Sequence, residues 1–374
     1  MSGIYVHIPF CRSRCIYCGF YSTTLMDLRH QYVDAVCAEM RLRRDYISGP
    51  YSTIYVGGGT PSTLDVMDLK KLFDNIYKVF SVETDAEVTI ECNPDDVTPS
   101  FVDLLAGLPV NRVSIGVQTF SDGRLKLLRR RHDAAEIYQA VDNLRRGGIS
   151  NISVDLIFGF PCETLTDWIY DIESALSLNV EHISAYSLMY EEGTPLYTML
   201  SKGRVAQIDD ELSLVMYDEL VSRLGRAGFE HYEISNFARS GFRSRHNSSY
   251  WRQIPYIGLG AAAHSFDLCS RQWNVSNVAS YISAIDCESV PMEREELDSN
   301  TIFNDIITTA LRTSEGIDLK WLDLTLGQSY CNILLDNASR YLSEGLLVLD
   351  NGCLHLTYRG IFVSDMVMGD LVIV

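Results

Sequence analysis

Six short runs rich in β-branched and apolar residues recur through the first half of the chain: GIYVHIPF (3–10), TIYVGGG (53–59), EVTIEC (87–92), RVSIGVQ (112–118), ISVDLIFG (152–159) and EHISAYSL (181–188). Between them, residues 31–46, 64–79, 133–146 and 164–178 place apolar side chains at helical period. Thr98-Pro99 reads as an N-cap followed by the first helical residue, and Gly147-Gly148 as a helix stop. Strands alternating with helices predict parallel βαβ units.

An open sheet and a barrel both satisfy that alternation, and the polar residues separate them. Each run ends in chemically loaded positions: three cysteines after the first, GGGTP after the second, ECNP closing the third. GVQTF, DLIFGFP and AYSLMYEEGTP close the others. Functional groups at the C-terminal ends of many strands point to a (β/α) barrel. Six units rather than eight predict an incomplete, TIM-like (β/α)6 barrel with an open side, spanning 1–205. From about 206 the pattern changes to a long amphipathic helix, a Ser/Asn/Arg-rich stretch and a small-residue run, YIGLGAAAHSF, expected to cover the barrel over 206–280. Residues 281–374 read as a mainly helical, winged-helix-like domain, ending in two short strands joined by Asn351-Gly352.

A wing can bind DNA, but the net charge of −18 argues against a nucleic-acid partner. Two basic runs, RLRRD (41–45) and RLKLLRRRHD (124–133), read as solvated helix faces or C-terminal turns, with Arg130 excepted below. No run approaches 18 apolar residues, and the start resembles a strand rather than a signal peptide, so the expected compartment is the cytoplasm. Seven of the ten cysteines are scattered singly and read as small buried hydrophobes, not as a disulfide framework.

The other three cluster as HIPFCRSRCIYCGF: Cys11, Cys15 and Cys18 at C-x3-C-x2-C, with Phe20 where a fourth would fall. Such a loop can wrap three irons of a [4Fe–4S] cluster and leave the fourth iron open, the mark of a catalytic rather than structural site. A zinc site would need a fourth ligand, for which His7 is nearest, and lacks the paired C-x2-C spacing. GGGTP is not a dinucleotide G-x-G-x-x-G, because Ser62 stands at the last glycine position; its bare backbone suits close approach to a ligand.

C-x3-C-x2-C after a first strand, with GGGTP after the second, resembles the radical S-adenosylmethionine (SAM) superfamily. There SAM chelates the open iron, and one electron cleaves it to methionine and a 5′-deoxyadenosyl radical. YVHIPFC, GGGTPS, GVQTF, RRH, DLIFGFP, HYEISNFAR, RHNSSYW, GLGAAAHSF and ALRTSEGIDL, running from residue 5 to about 319, resemble the oxygen-independent coproporphyrinogen III oxidase family. The resemblance implies Cys11, Cys15 and Cys18 as cluster ligands. It implies Tyr5, Tyr17, Gly58, Gly59, Thr60, Glu91, Gln118, Arg130 and Asp155 as SAM contacts. Carboxylates and an amide suit ribose hydroxyls or an ammonium, and an arginine suits a carboxylate.

The decarboxylating oxidases carry a fourth cysteine where this chain has Phe20, and some fifty further residues before the first strand. Both departures resemble the HemW subgroup, whose members bind heme as chaperones. The resemblance then implies heme, heme-acceptor proteins and an electron donor as partners, with a homodimer and transient membrane contact. Oxidation of coproporphyrinogen III stays open as the alternative. For heme, the HNxxYW motif makes His246 the first candidate ligand and His264 the second, with Arg243 or Arg245 facing the propionates.

Overall fold

The structure is a computed structural model that describes residues 2–373. Six strands, β1 (Gly3–Ile8), β2 (Tyr51–Gly58), β3 (Val82–Cys92), β4 (Arg112–Gln118), β5 (Asn151–Phe158) and β6 (His182–Ser187), lie side by side in chain order, each parallel to the next. The connections carry α1 (Arg29–Leu42), α2 (Val66–Val79), α3 (Pro99–Leu105), α4 (Asp122–Leu127), α5 (Ala134–Arg146) and α6 (Leu165–Ser177). Their starts follow local chemistry. Thr98 caps α3 with Pro99 in its first turn, and capping boxes Asp133/Glu136 and Thr164/Asp167 open α5 and α6. α5 stops at Gly147, with Gly148 at φ +84°, as the sequence predicts.

The strands have two unlike faces. Ile4, Val6 and Ile8 of β1, Ile54 and Val56 of β2, Val113, Ile115 and Val117 of β4, and Ile152, Val154 and Leu156 of β5 belong to one buried apolar core shared with the helices. The alternate positions are polar: Thr53 and Tyr55, Thr89 and Glu91, Arg112 and Ser114, Ser153 and Asp155, His182 and Ser184. The interior of a (β/α) barrel is ordinarily packed with branched apolar side chains. Here it is polar, and that leaves room for a site.

The region expected to cover the barrel instead extends its sheet at both edges. After α7 (Pro195–Ser201) and α8 (Asp210–Arg226), β7 (Glu230–Glu233) and β8 (Asn236–Ala238) add antiparallel to β6. α9 (Arg245–Trp251) follows, and β9 (Tyr256–Leu259) then pairs parallel with β1. β10 (His264–Phe266), β11 (Ser270–Asn274) and β12 (Met292–Glu296) continue outward, antiparallel, with α10 (Val278–Asp286) between the last two. The apolar core runs on to Ile285, so the division expected at 281 falls inside the first body, because α10 packs on α1.

A second core begins at Phe303. It is built from α11 (Ser299–Ala310), β13 (Ile317–Asp318), α12 (Leu319–Leu326), α13 (Gln328–Ser343), β14 (Leu347–Asp350), β15 (Cys353–Leu356), α14 (Tyr358–Ile361) and α15 (Ser364–Leu371). The strands form a small sheet in the order β13-β15-β14, with Asn351-Gly352 at the hairpin turn. No helix among the described residues is long and apolar enough to cross a membrane.

Candidate functional site

The polar strand faces and the cysteine loop enclose a cavity of about 590 Å³. Cys11, Cys15 and Cys18 all line it. The loop is tied at both ends: Cys11 N donates to the Thr23 carbonyl (2.9 Å) and Ile16 N to that of Leu128 (3.3 Å). Two sulfurs meet donors, Thr60 Oγ1 at 3.4 Å from Cys11 Sγ and Arg130 Nη1 at 3.6 Å from Cys15 Sγ.

Among the described residues, only His30, Asp65 and Asp68 gather three ligand atoms within 4.8 Å of one another, so the three thiols do not converge as one zinc ion requires. His7 offers no fourth ligand either. Its Nδ1 bonds the Tyr5 hydroxyl (2.9 Å) and its Nε2 the Tyr21 carbonyl (3.0 Å). Three separated thiols on one loop fit a polynuclear iron–sulfur cluster. Burial raises the Cys11 and Cys18 thiols, the latter to about 11, so loading a cluster must displace their protons.

The glycine run lies directly against that loop. A Cβ on Gly59 would stand 2.8 Å from Pro9 C, 2.9 Å from the Ile8 carbonyl oxygen and 3.0 Å from Cys11 Sγ. Gly58 has φ +109°, and its Cβ would fall 2.4 Å from His7 Nδ1. Only glycine fits there without displacement.

The opposite wall is charged. Glu91 accepts from the Tyr55 hydroxyl (2.7 Å) and the Gly58 amide (2.9 Å). Burial lifts its carboxyl to about 7, helped by the charge of Asp155 and opposed by those hydrogen bonds. Asp155, also raised by burial, accepts from Ser114 Oγ at 3.3 Å. Arg130 donates to the Gly116 carbonyl as well as to Cys15. Gln118 closes β4 at φ +69°, an uncommon conformation for a residue with a side chain, where the β4–β5 register slips. This is a thiol loop, a bare backbone, two carboxylates and a guanidinium around one volume.

The Radical SAM superfamily profile matches residues 5–175, and the HemN C-terminal domain matches 297–363. The chain is 34% identical to the heme chaperone HemW of Bacillus subtilis, covering 99% of this chain and 98% of that one. This chain belongs to the HemW family. It is also 30% identical to the mitochondrial radical S-adenosyl methionine domain-containing protein 1 of Bos taurus, over 97% of this chain and 86% of that one. Coproporphyrinogen III oxidase (HemN) from Escherichia coli shares the fold, with a TM-score of 0.85 at 21% identity over 99% of this chain and 89% of that chain. A radical SAM domain implies a [4Fe–4S] cluster and SAM.

Of the residues expected at this HemW site, Tyr17, Gly58, Gly59, Thr60, Glu91, Gln118, Arg130 and Asp155 line the cavity with the cysteines, and Tyr5 does not. Tyr5 packs below it, stacked on Tyr55 and His246, with its hydroxyl held by His7.

The first heme candidate, His246, lies in the core. It is 1% exposed, with Nδ1 bonded to Thr53 Oγ1 and Nε2 to the Tyr250 hydroxyl, each at 2.8 Å. Burial and then the Arg112 charge hold it down at about 3, so the ring stays neutral, with both nitrogens engaged inside the protein. Arg243 pairs with Glu230 and Glu315, and Arg245 with Glu83 and Asp85, so neither is a spare propionate partner. His264 differs: it is exposed, stacked on Trp273 at 6.0 Å.

The sequence reading missed Tyr55, Arg112, Ser114, Ser184, Tyr186 and Asn247, all of which line the cavity. Arg112 stands out: it is 1% exposed, and among the described residues its Nε has no hydrogen-bond partner. Strand alternation was the signal for five of the six, since each sits two residues from another position on the lumen face.

Proposed function

We propose that this chain binds heme and passes it to acceptor proteins, with a [4Fe–4S] cluster on Cys11, Cys15 and Cys18 and SAM at the open iron. The observation that carries this reading is the 34% identity, over nearly the whole of both chains, to a protein named heme chaperone HemW. Phe20 supports it, standing 72% exposed on the cavity lining in place of a fourth thiol. When bound, cluster and SAM supply one-electron cleavage chemistry at a carbon–sulfur bond. The chain's own part is to hold them. Glu91 and Asp155 serve hydroxyl or ammonium groups, Arg130 a carboxylate, and Gly58 and Gly59 clear the approach.

His264 is the proposed heme ligand. Its imidazole is accessible, and partial desolvation by its neighbours, then the Arg271 charge, lowers its affinity for a proton, which keeps it in the form iron takes.

The test begins with cluster-loaded protein titrated with hemin and then desalted. Stoichiometric retention is expected, lost in His264→Ala and kept in His246→Ala; no retention by the intact protein would refute the chaperone reading. A parallel anaerobic assay gives the protein SAM, reductant and coproporphyrinogen III. Protoporphyrinogen in excess over protein would make the chain an oxidase.

A further inference from the structure

We propose that the outer face of the cysteine loop is the docking surface for an acidic electron-carrier protein. The chain as a whole is strongly acidic, at −18, yet around this loop the charge reverses. Arg12, Arg129 and Arg131 bound a shallow surface cleft that also touches Asn93 and Asp95. Cys15 and Arg130 line this cleft and also the main cavity, so one ligand thiol is reached from both sides.

The backbone that carries the basic side chains is held in place. Arg129 sits at φ +61° in the turn after α4, its carbonyl accepting from Ser13 Oγ at 3.5 Å, while Ile16 N bonds Leu128 one residue earlier. The arginine turn and the thiol loop are thus fastened together. Arg131 pairs with Asp95 and Asp96, but Arg12 and Arg129 are exposed and form no ion pair among the described residues. Arg12 also crowds Arg131, whose proton is held less tightly because of burial and then of that neighbouring charge. Asp95 and Asp96 offset part of this charge, the latter also facing the field of Arg12, but the arginines outnumber them. An excess of like charge attracts an oppositely charged partner and speeds its encounter.

The chemistry names the partner. An iron–sulfur cluster of this class accepts one electron at a time, and transfer slows steeply with distance. A protein donor must therefore sit close to a ligand, and the substrate cavity is too narrow to admit one. Cys15 at the base of the basic cleft is the contact available from outside. One electron leaves the reduced flavin or iron–sulfur carrier and one enters the cluster; no bond is made or broken. This rests on the cluster site and not on the heme reading, which hemin retention tests separately.

The experiment titrates cluster-loaded full-length protein with a flavodoxin by calorimetry at low and high salt, beside Arg12→Glu/Arg129→Glu. Wild type should bind at low salt and weaken as salt rises, and the double variant should lose roughly tenfold or more in affinity, with iron and sulfide content unchanged. In stopped flow, cluster reduction by reduced flavodoxin should slow by a similar factor, while reduction by dithionite should not change. If the charge reversal prevents cluster loading, Arg12→Gln/Arg129→Gln carries the same expectation at a smaller factor. Equal flavodoxin affinity in wild type and variant overturns the proposal. Equal slowing with dithionite overturns it too, as does binding of wild type to anionic vesicles but not to flavodoxin.

Discussion

Replacing Glu91 by glutamine should make the empty protein more stable and its SAM site weaker. The carboxyl is raised from 4.5 to about 7, first by burial. Between those two pH values the folded chain keeps a proton that the unfolded chain has released. Unfolding then sheds a proton, so this group's contribution to stability falls as pH rises through the window and is flat above 7. A gap of about 2.5 pH units, at about 1.36 kcal/mol each, sets an upper limit of about 3.4 kcal/mol. Because the carboxyl faces a cavity open to water, roughly 1–3 kcal/mol is the working range.

Glutamine keeps the size and can still accept from the Gly58 amide, but it never ionises. In urea melts without cluster or SAM, E91Q should match wild type near pH 4.5 and exceed it by about 1–3 kcal/mol at pH 8. Other raised carboxyls, such as Glu163, titrate in both proteins and cancel in the difference. SAM affinity of the cluster-loaded variant should move the other way. A lost charge-assisted hydrogen bond of about 1.5–3 kcal/mol is roughly 10- to 150-fold in Kd. A stability difference independent of pH would refute the assignment of the raised group, and unchanged SAM affinity would remove Glu91 from the ligand site.

Serine in place of Cys11, Cys15 or Cys18 should bring iron and acid-labile sulfide close to zero after reconstitution, with far-ultraviolet dichroism unchanged; full loading of any one variant would exclude that thiol as a ligand. Gly58→Ala meets both a φ of +109° and a contact of 2.4 Å to His7 Nδ1, so urea melts should show a loss of about 2–4 kcal/mol. His246→Ala strands the Thr53 and Tyr250 hydroxyls and opens a void, costing about 2–4 kcal/mol in the same melts, while the Soret band of bound heme stays in place. A shifted Soret band with undiminished stability would return His246 to the heme site.

The six parallel strands and their helices were legible because long apolar runs, caps and a Gly-Gly stop agree on the same elements. The edge extensions were not. β8 and β10 are three residues each, too short to carry a period, and the pairings of β8 with β6 and of β9 with β1 join distant stretches of chain through tertiary contact. Within the site, the residues at strand ends were found and those lower in the lumen were passed over. Arg112 opens β4, so attention to the closing residues of each run could not reach it, although Ser114, Gly116 and Gln118 share its face. The burial of His246 was hidden for a different reason. A histidine among aromatics has the same composition in a heme slot and in a packed core, and burial is not written in the local sequence.

Where the structure puts that motif gives it a different role. The amides of Arg245 and His246 donate to Glu87 on β3, and the His246 ring bonds Thr53 on β2, so the start of α9 plugs the barrel at the strand end away from the cysteine loop. From there a chain of contacts runs upward. The His246 ring stacks on Tyr55 at 5.1 Å, the Tyr55 hydroxyl bonds Glu91, and Glu91 bonds the amide of Gly58 beside the thiols. Tyr5 and His7 run parallel to it, with His7 filling the space that Gly58 leaves open. A ring that holds Tyr55 fixes the hydroxyl that orients Glu91, and rigid supporting contacts of this kind keep a site in its working geometry. The motif therefore reaches the cofactor pocket through two intervening side chains, Tyr55 and Glu91.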